Sequence, residues 1–212
     1  TGDWGGGGLV LYHSDATLSG NTITFNSGGQ DVGGGLYLGH SDATLTNNVV
    51  VDNRADLAGS GLYISCSSPR LLHTTIARNI GGHGSGVYVT QRWCAISSAV
   101  VLTNTILVSH SVGISVTGGN TVTVNGILWY SAPVTTSQST TATVMVQNQH
   151  TGNPAFDTDG YHITPASAAI DAGVDAGVIT DIDDDSRPIG RPDIGADEWG
   201  TRVFLPLVLR NH

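Results

Sequence analysis

The chain has 212 residues, of which 29 are glycine and 12% are charged, and its formal net charge is −9. This length suits one domain with a substantial core, and 39% hydrophobic residues without a Gly-X-Y period exclude both collagen and a disordered Gly/Ser linker. All eight basic residues are arginine, so an acidic chain without lysine argues against nucleic-acid partners, and the lack of an apolar run of about 18 residues argues against a membrane span.

A Gly-rich turn followed by alternating apolar residues recurs through the first half of the chain. The first apolar position after each turn lies 25–27 residues beyond the previous one. These positions are Leu9, Leu36, Leu62, Val87 and Ile114. A fixed period of this length is typical of solenoid proteins, in which each repeat is one structural unit.

Two further segments of each repeat keep the same phase. Thr17-Leu18 recurs as Thr44-Leu45, and Asn21-Thr22-Ile23 recurs as Asn48-Val49-Val50. Three short strands cannot form a core alone, but like strands of stacked repeats can pair in parallel about 4.8 Å apart, with right-handed crossovers. We therefore predict an all-β fold, a single-chain right-handed parallel β-helix (solenoid) with three short strands per coil of about 26 residues.

Alternation within the strands predicts which side chains face outward. Leu36 and Leu38 should point into the coil and Tyr37 away from it. Tyr37, Tyr63 and Tyr88 share this position in three successive repeats. They are expected to form an exposed aromatic ladder that could stack on sugar rings.

Asparagine recurs in one turn of the repeat, at Asn26, Asn53 and Asn79, with Ser109 next. Stacked asparagines in a buried turn can bond from coil to coil and satisfy turn amides. We interpret the column as a structural asparagine ladder. Asp52 and Arg78 precede ladder positions and are expected to pair across coils.

Cys66 and Cys94 follow the same strand of neighbouring repeats. A disulfide between two adjacent loops is expected, with two buried thiols as the alternative. A disulfide would place the protein outside the cytoplasm.

Other recurring polar residues offer little for catalysis. His13 recurs as His40, and Asp15 as Asp42; this could be a metal patch, but repetition alone also produces such columns. The strand faces carry few carboxylates and no converging acid and base, so we favour a binding or structural function over catalysis.

Regular coils are expected over 1–131 and irregular last coils over 132–199. Ala132–Thr143 is expected to form a loop or an irregular coil, and Val144-Met145-Val146 another strand. The later segment contains Tyr161-His162-Ile163, Pro165-Ala166-Ser167-Ala168-Ala169-Ile170-Asp171-Ala172-Gly173 and Asp193-Ile194-Gly195-Ala196-Asp197-Glu198. In their order these motifs resemble the choice-of-anchor type region that closes secreted bacterial β-helix proteins of the pectate-lyase-like superfamily. The resemblance implies a secreted or cell-surface bacterial protein, and no particular activity.

Asp181, Asp183 and Asp185 alternate in the same segment. An oxygen-rich loop of this kind suits Ca²⁺, although the full EF-hand pattern is absent. The alternative is a solvated acidic turn with an ion pair to Arg187. No other cofactor is expected.

The last segment, 200–212, is an apolar tail. Its apolar members are Val203, Phe204, Leu205, Leu207, Val208 and Leu209. An uncapped first repeat and an apolar tail at the other end favour head-to-tail association of copies into a filament, because a heterologous contact that does not close gives a fibre.

We therefore hypothesise an extracellular or cell-surface structural β-solenoid without catalytic activity, whose partner is a second copy of itself. Two alternatives stay open. One is a carbohydrate-active or glycan-binding β-helix that takes a polysaccharide, and the other is an adhesin fragment of a larger surface protein.

Overall fold

The computed structural model describes residues 6–28, 32–83, 85–92 and 94–200. Its strands are β1 Leu9–Tyr12, β2 Thr17–Ser19, β3 Thr22–Thr24, β4 Leu36–Gly39, β5 Thr44–Thr46, β6 Val49–Val51, β7 Leu62–Ser65, β8 Arg70–Leu72, β9 Thr75–Ala77, β10 Ser85–Thr90, β11 Ala99–Val108, β12 Val112–Val116, β13 Thr121–Tyr130, β14 Val134–Gln138 and β15 Thr143–Thr151. They pair in parallel in two sheets, which confirms the predicted all-β parallel β-helix. One sheet takes a strand from each of six coils, in the order β1-β4-β7-β10-β12-β14. Within the described ranges, no helix is long and apolar enough to span a membrane.

The strand register places equivalent residues of successive repeats directly above one another. Leu9 pairs with Leu36, and Leu36 pairs with Leu62. Leu36 and Leu62 are fully buried, because alternate side chains point into the coil. These columns form one continuous core along the coils. Full burial of each leucine contributes about 1.5–3 kcal/mol, so the stacked columns are the main source of stability.

The second sheet bends at the same place in every coil. Asn47, His73 and Asn104 occupy this bend with φ near +50°, a region that asparagine tolerates better than most residues. Coils one to three have separate strands on either side of the bend. From coil four onward the two strands are continuous, as in the ten-residue β11 and β13. The predicted three strands per coil therefore become two in the later coils.

The sixth coil lies in the segment that we expected to be irregular. Val134–Gln138 forms β14 and pairs in register with β12, so these residues form a regular strand rather than the expected loop or irregular coil. β15 pairs with β13 over its whole length. The Ser/Thr-rich composition misled the expectation, since threonine at alternate positions is itself a good strand former.

The asparagine column forms a continuous hydrogen-bonded ladder. Asn26 donates its backbone N–H and its side-chain amide to Asn53 Oδ1, each at 3.0 Å. Asn53 donates in the same way to Asn79 Oδ1, at 2.9 and 3.0 Å. The next member is His110, whose Nε2 lies 3.3 Å from both donors of Asn79. Ser109, expected there, instead occupies the positive-φ position that precedes each ladder residue.

A second ladder, of serines, was not predicted. Ser14 N–H donates to Ser41 Oγ, Ser41 N–H to Ser67 Oγ, and Ser67 N–H to Ser98 Oγ. Asn120 Oδ1 ends the column by accepting from Ser98 N–H at 2.8 Å. The recurrence of serine after 27 residues was the available signal. Side-chain oxygens thus satisfy turn amides on two edges of the solenoid.

Acid should weaken the asparagine ladder at His110. The side chain is 3% exposed, and burial, together with the charge of Arg78, lowers the pKa of His110 to about 4. The folded protein therefore resists a proton that the unfolded chain accepts near pH 6.5. Stability that is fully present above pH 6.5 is lost as the pH falls towards 4, by up to about 3 kcal/mol for a shift of this size.

His110→Asn tests this expectation, because asparagine can continue the ladder without titrating. Urea unfolding at pH 7 and pH 4.5 should show that wild type loses about 2–3 kcal/mol more than the variant between the two pH values. His73, also buried, is common to both proteins and cancels in the comparison. An equal loss in both proteins would contradict the role given to His110.

Cys66 and Cys94 form a disulfide, with their Cα atoms 6.4 Å apart. Cys66 directly follows β7, and Cys94 lies in the loop after β10, the next strand of the same sheet. The disulfide therefore cross-links the third coil to the fourth.

The segment after β15 does not cap the end of the solenoid. It folds back along the outer face of the second sheet, where Val49, Ile106 and Leu128 present apolar side chains. Ile163 and Ile194 bury against this stripe. We call residues 153–200 the lateral layer. Apolar residues on the outer face require such a cover, which explains why the layer lies beside the coils.

Arg78 fastens the lateral layer to the coils. Its Nε and Nη2 donate to the two carboxylate oxygens of Asp52, at 2.9 and 2.8 Å, so the expected pair across coils is present. Its Nη1 donates to the carbonyl of Gly160 in the layer at 2.9 Å. The guanidinium also lies over the Phe156 ring, 5.9 Å from its centroid.

Candidate functional site

A cleft in the lateral layer brings titratable side chains together. Its volume is about 380 Å³. Three stretches of the layer form it: the turn around 157–163, the acidic run 181–186 and the segment 197–200. The polar side chains on its wall include Asp157, His162, Asp183, Asp185, Asp197 and Glu198.

His162 lies at the centre of this group and is held at both ring nitrogens. Its Nδ1 makes a short hydrogen bond with Asp159 Oδ2, and its Nε2 lies 2.8 Å from Asp183 Oδ2. Burial alone would lower the pKa of His162. The hydrogen bond to Asp159 and the charges of Asp197 and Asp183 outweigh burial and raise that pKa above its usual value.

A tight turn sets the position of Asp159. Its Oδ1 accepts the backbone N–H groups of Tyr161 and His162, at 3.0 and 3.1 Å. The side chain thereby fixes the backbone that carries the imidazole as well as the imidazole itself. An aspartate that bonds amides two and three residues ahead is a common way to stabilise a turn.

Asp197 forms the floor of the cleft and is 7% exposed. Its Oδ2 accepts the N–H of Ile163 at 2.7 Å. Burial raises the pKa of Asp197 to about 6, despite the opposing effect of this hydrogen bond. Nitrogen or oxygen ligand atoms of His162, Asp183 and Asp197 all lie within 4.8 Å of one another.

The carboxylates proposed for Ca²⁺ do not converge as expected. Asp181 is 3% exposed, and its Oδ1 accepts the N–H groups of Asp183 and Asp185, each at 2.9 Å. Its Oδ2 accepts the N–H of Glu198. Asp181 thus shapes the backbone of the run, and Asp183 turns to His162. Asp181, Asp183 and Asp185 are therefore not a common ligand set, and the Ca²⁺ prediction is corrected.

Arg187 is buried and holds the segment that carries Asp197. Its Nη1 lies 3.2 Å from Glu198, and both side chains are fully buried. Its Nη2 donates to the carbonyls of Gly195 and Ala196, at 3.2 and 3.0 Å. The expected solvated pair between Arg187 and the acidic run is absent from the ion pairs of the described residues.

The tyrosine column is stacked, but it is not an exposed ladder. Tyr37 is 8% and Tyr63 is 1% exposed. The rings of Tyr37, Tyr63 and Tyr88 lie parallel, with centroids 5.6 and 5.4 Å apart. Val32 and Ala58 in the preceding turns pack over them. The rings thus form a small hydrophobic cluster outside the coil, and they are too buried to stack on sugar rings as expected.

His13 and His40 also stack, with centroids 4.6 Å apart, while Asp15 and Asp42 accept backbone N–H groups of the next coil. Within the described ranges, neither pair joins a group that could hold a metal. The apolar tail, Val203 to Leu209, lies outside the described residues.

Sequence reasoning missed the central residues of the cleft. Tyr161-His162 and Asp197 belong to motifs that carried the family resemblance, but they lie 35 positions apart and follow no period. Only the fold of the lateral layer brings them together. The chemistry that results is one imidazole nitrogen and two carboxylates beside an open cavity, a set suited to a divalent cation or to proton transfer.

Residues 1–127 match the sequence model of a family described as "Right handed beta helix region". The match covers the first five coils and ends before the lateral layer and its cleft. No curated protein and no solved structure matches the chain at a significant level. The function of the cleft and of the coil ends must therefore be inferred from their geometry.

Proposed function

Because the chain belongs to the right-handed β-helix family, we propose that it is an extracellular structural module whose first coil joins the first coil of a second copy. The observation that carries the proposal is a difference between the two ends of the solenoid. Among the described residues, the first coil presents an apolar interior and strands that are paired on one side only, whereas the sixth coil presents a mixture of polar and apolar side chains. The Cys66–Cys94 disulfide supports an oxidising compartment, since such bonds are rare in the cytosol.

In the first coil, the inward-facing strand residues at the start of the four main core columns are all apolar. Leu9, Leu11, Leu18 and Ile23 face inward but are only partly buried, whereas their partners in the second coil are fully buried. Within the described residues, β1, β2 and β3 each pair on one side only. A further apolar layer would complete their burial.

The sixth coil ends most of the same columns in polar residues. Thr136 continues the column of Leu9, Gln138 that of Leu11, and Thr151 that of Ile23. Of these four columns, only that of Leu18 ends in an apolar side chain, Val146. Ala142 and Val144 of the same coil also pack against the core. Polar terminal repeats are the usual way in which solenoids end.

This difference favours one of two modes of self-association. Head-to-tail stacking, as in the filament expected from the sequence, would place Leu9 and Leu11 on Thr136 and Gln138. Head-to-head stacking places four apolar columns against four apolar columns. It also closes on itself as a two-fold dimer, the commonest symmetry of soluble oligomers. We therefore favour the dimer.

Val10→Pro tests the proposal with little risk to the fold. The N–H groups of Leu9 and His13 donate to the second coil, so alternation points the N–H of Val10 away from the stack. Proline is tolerated at such an edge position, but it blocks the addition of another strand. Sedimentation velocity should show a concentration-dependent dimer for wild type and a monomer at all concentrations for the variant.

Val144→Pro is the matched control at the polar end. Thr143 N–H donates back to Asn120, so Val144 N–H faces outward there. This variant should dimerise like wild type. Loss of assembly in both variants, or polymers in electron micrographs, would support the head-to-tail filament and overturn the dimer. Monomeric wild type at all concentrations would overturn self-association.

A further inference from the structure

The cleft of the lateral layer contains a constellation that the proposed dimer does not use. His162 lies beside two carboxylates that come from different segments, Asp183 and Asp197, and its Nε2 contacts that of Asp183. The three residues are brought together from positions 14 to 35 residues apart in the chain. Their chemistry is that of a metal centre rather than of an ion pair alone.

The arrangement around His162 supports this interpretation. In metal sites, the ring nitrogen that does not bind the metal usually donates to a carboxylate, which fixes the orientation of the imidazole. Asp159 occupies this position at Nδ1. Asp159 is itself held by two backbone N–H groups, so the imidazole is aimed at the cleft before any ligand arrives.

Asp197 supplies an independent observation. The side chain is more than nine-tenths buried, and one of its oxygens accepts the N–H of Ile163. Among the described residues, its other oxygen has no hydrogen-bond partner. This oxygen is not one of the fully buried atoms without a partner, so it is open to the cleft, where a cation can bind it. The adjoining cavity of about 380 Å³ gives a hydrated ion access to it.

We propose that His162, Asp183 and Asp197 bind a zinc ion, with a fourth position open to the cleft. One imidazole and two carboxylates form a mixed nitrogen and oxygen set that suits Zn²⁺ better than Ca²⁺ or Mg²⁺, which prefer oxygen ligands alone. Three protein ligands with an open position are the arrangement of zinc sites that also bind water or substrate.

The spacing of the ligand atoms fits the ion after small movements. Ligands at about 2.0–2.1 Å from a tetrahedral zinc lie about 3.3 Å from one another. His162 Nε2 and Asp183 Oδ2 are 2.8 Å apart, and all three ligand atoms lie within 4.8 Å. Asp183 therefore has to move outward slightly. Its side chain is one-third exposed and has room to do so.

Isothermal titration of the EDTA-treated full chain with ZnCl₂ tests the proposal directly. Wild type should bind one Zn²⁺ per chain, with much weaker binding of CaCl₂ and MgCl₂. His162→Ala and Asp183→Asn should weaken Zn²⁺ binding by about 100-fold or more, and Asp159→Asn by about 10–100-fold as an orienting residue. Replacement of zinc by Co²⁺ should give a visible absorption spectrum that is lost in His162→Ala.

Asp184→Asn is the matched control, because it removes the same charge from the same acidic run at an exposed position. It should bind Zn²⁺ within about 3-fold of wild type, since a surface charge contributes little. Near-UV circular dichroism of the metal-free variants shows whether each one is folded. Equal Zn²⁺ binding by wild type and folded His162→Ala, or a preference for Ca²⁺, would overturn the proposal.

Discussion

Asn53→Ala is expected to lower the free energy of unfolding by about 4 kcal/mol, because its buried side chain takes part in five hydrogen bonds. Asn53 is completely buried. Its Nδ2 donates to the carbonyls of Ile23 and Val51, at 2.9 and 3.0 Å. Its Oδ1 accepts two hydrogen bonds from Asn26. Alanine removes all of these, at about 1–3 kcal/mol for each group that is left buried without a partner.

Asn26→Ala provides the comparison within the same ladder. Asn26 is at the end of the column and only partly buried, so water can replace part of what its side chain loses. Its replacement should cost about 1 kcal/mol. Urea unfolding of both variants at pH 7 measures the difference. Equal effects would contradict the view that the ladder stabilises the fold through buried turn groups.

Arg187→Met should destabilise the lateral layer by about 3–5 kcal/mol, because it leaves Glu198 buried without its counter-charge. The variant also removes the hydrogen bonds that the guanidinium donates to the carbonyls of Asp193, Gly195 and Ala196, at 3.0–3.2 Å. Methionine fills a similar volume, so the effect reports the charge and the hydrogen bonds rather than a cavity.

Hydrogen exchange locates the effect of Arg187→Met. Amides of 153–200 should lose protection, while amides of β4 to β13 keep theirs, because the coils have their own core. Arg191→Met is the control: Arg191 is exposed, and its Nη2 donates only to the carbonyl of Gly173 among the described residues. It should cost less than about 1 kcal/mol. Similar exchange in both variants would contradict the role of Arg187.

The coils could be predicted from the sequence because, in a solenoid, residues one repeat apart in the chain are neighbours in the stack. Leu9 and Leu36 are 27 residues apart and pair directly in the sheets. The same translation placed the asparagines in one column. The prediction that Ser109 follows Asn79 in the ladder was wrong because of the insertion between β10 and β11. With this insertion, Val108 pairs with Ala77 in the sheet. His110, one residue later, therefore continues the ladder.

The tyrosines and the cleft could not be predicted in this way. Alternation shows that Tyr63 points out of the coil, but not that the turn around Ala58 folds over it. The contacts of His162 with Asp183 and Asp197 depend on how the lateral layer crosses the coils. That path follows an apolar stripe on the outer face of the second sheet. Val49 and Ile106 on that stripe are fully buried.

The distance between equivalent sites of two copies tests the proposed dimer most directly. Ser19 and Gln147 are exposed and occupy one column, in the first and sixth coils. Five steps of about 4.8 Å separate them by about 24 Å along the axis. Spin labels on Ser19→Cys and, separately, on Gln147→Cys therefore report on opposite ends.

Double electron–electron resonance measures these distances on spin-labelled protein in which the Cys66–Cys94 disulfide is intact. The distance between copies should be below about 25 Å for labels at residue 19, and beyond about 50 Å for labels at residue 147. Equal distances near about 29 Å at both positions would be the repeat of a head-to-tail stack and would contradict the dimer. Absence of any distance between copies, at concentrations above those of the sedimentation experiment, would contradict self-association through the first coil.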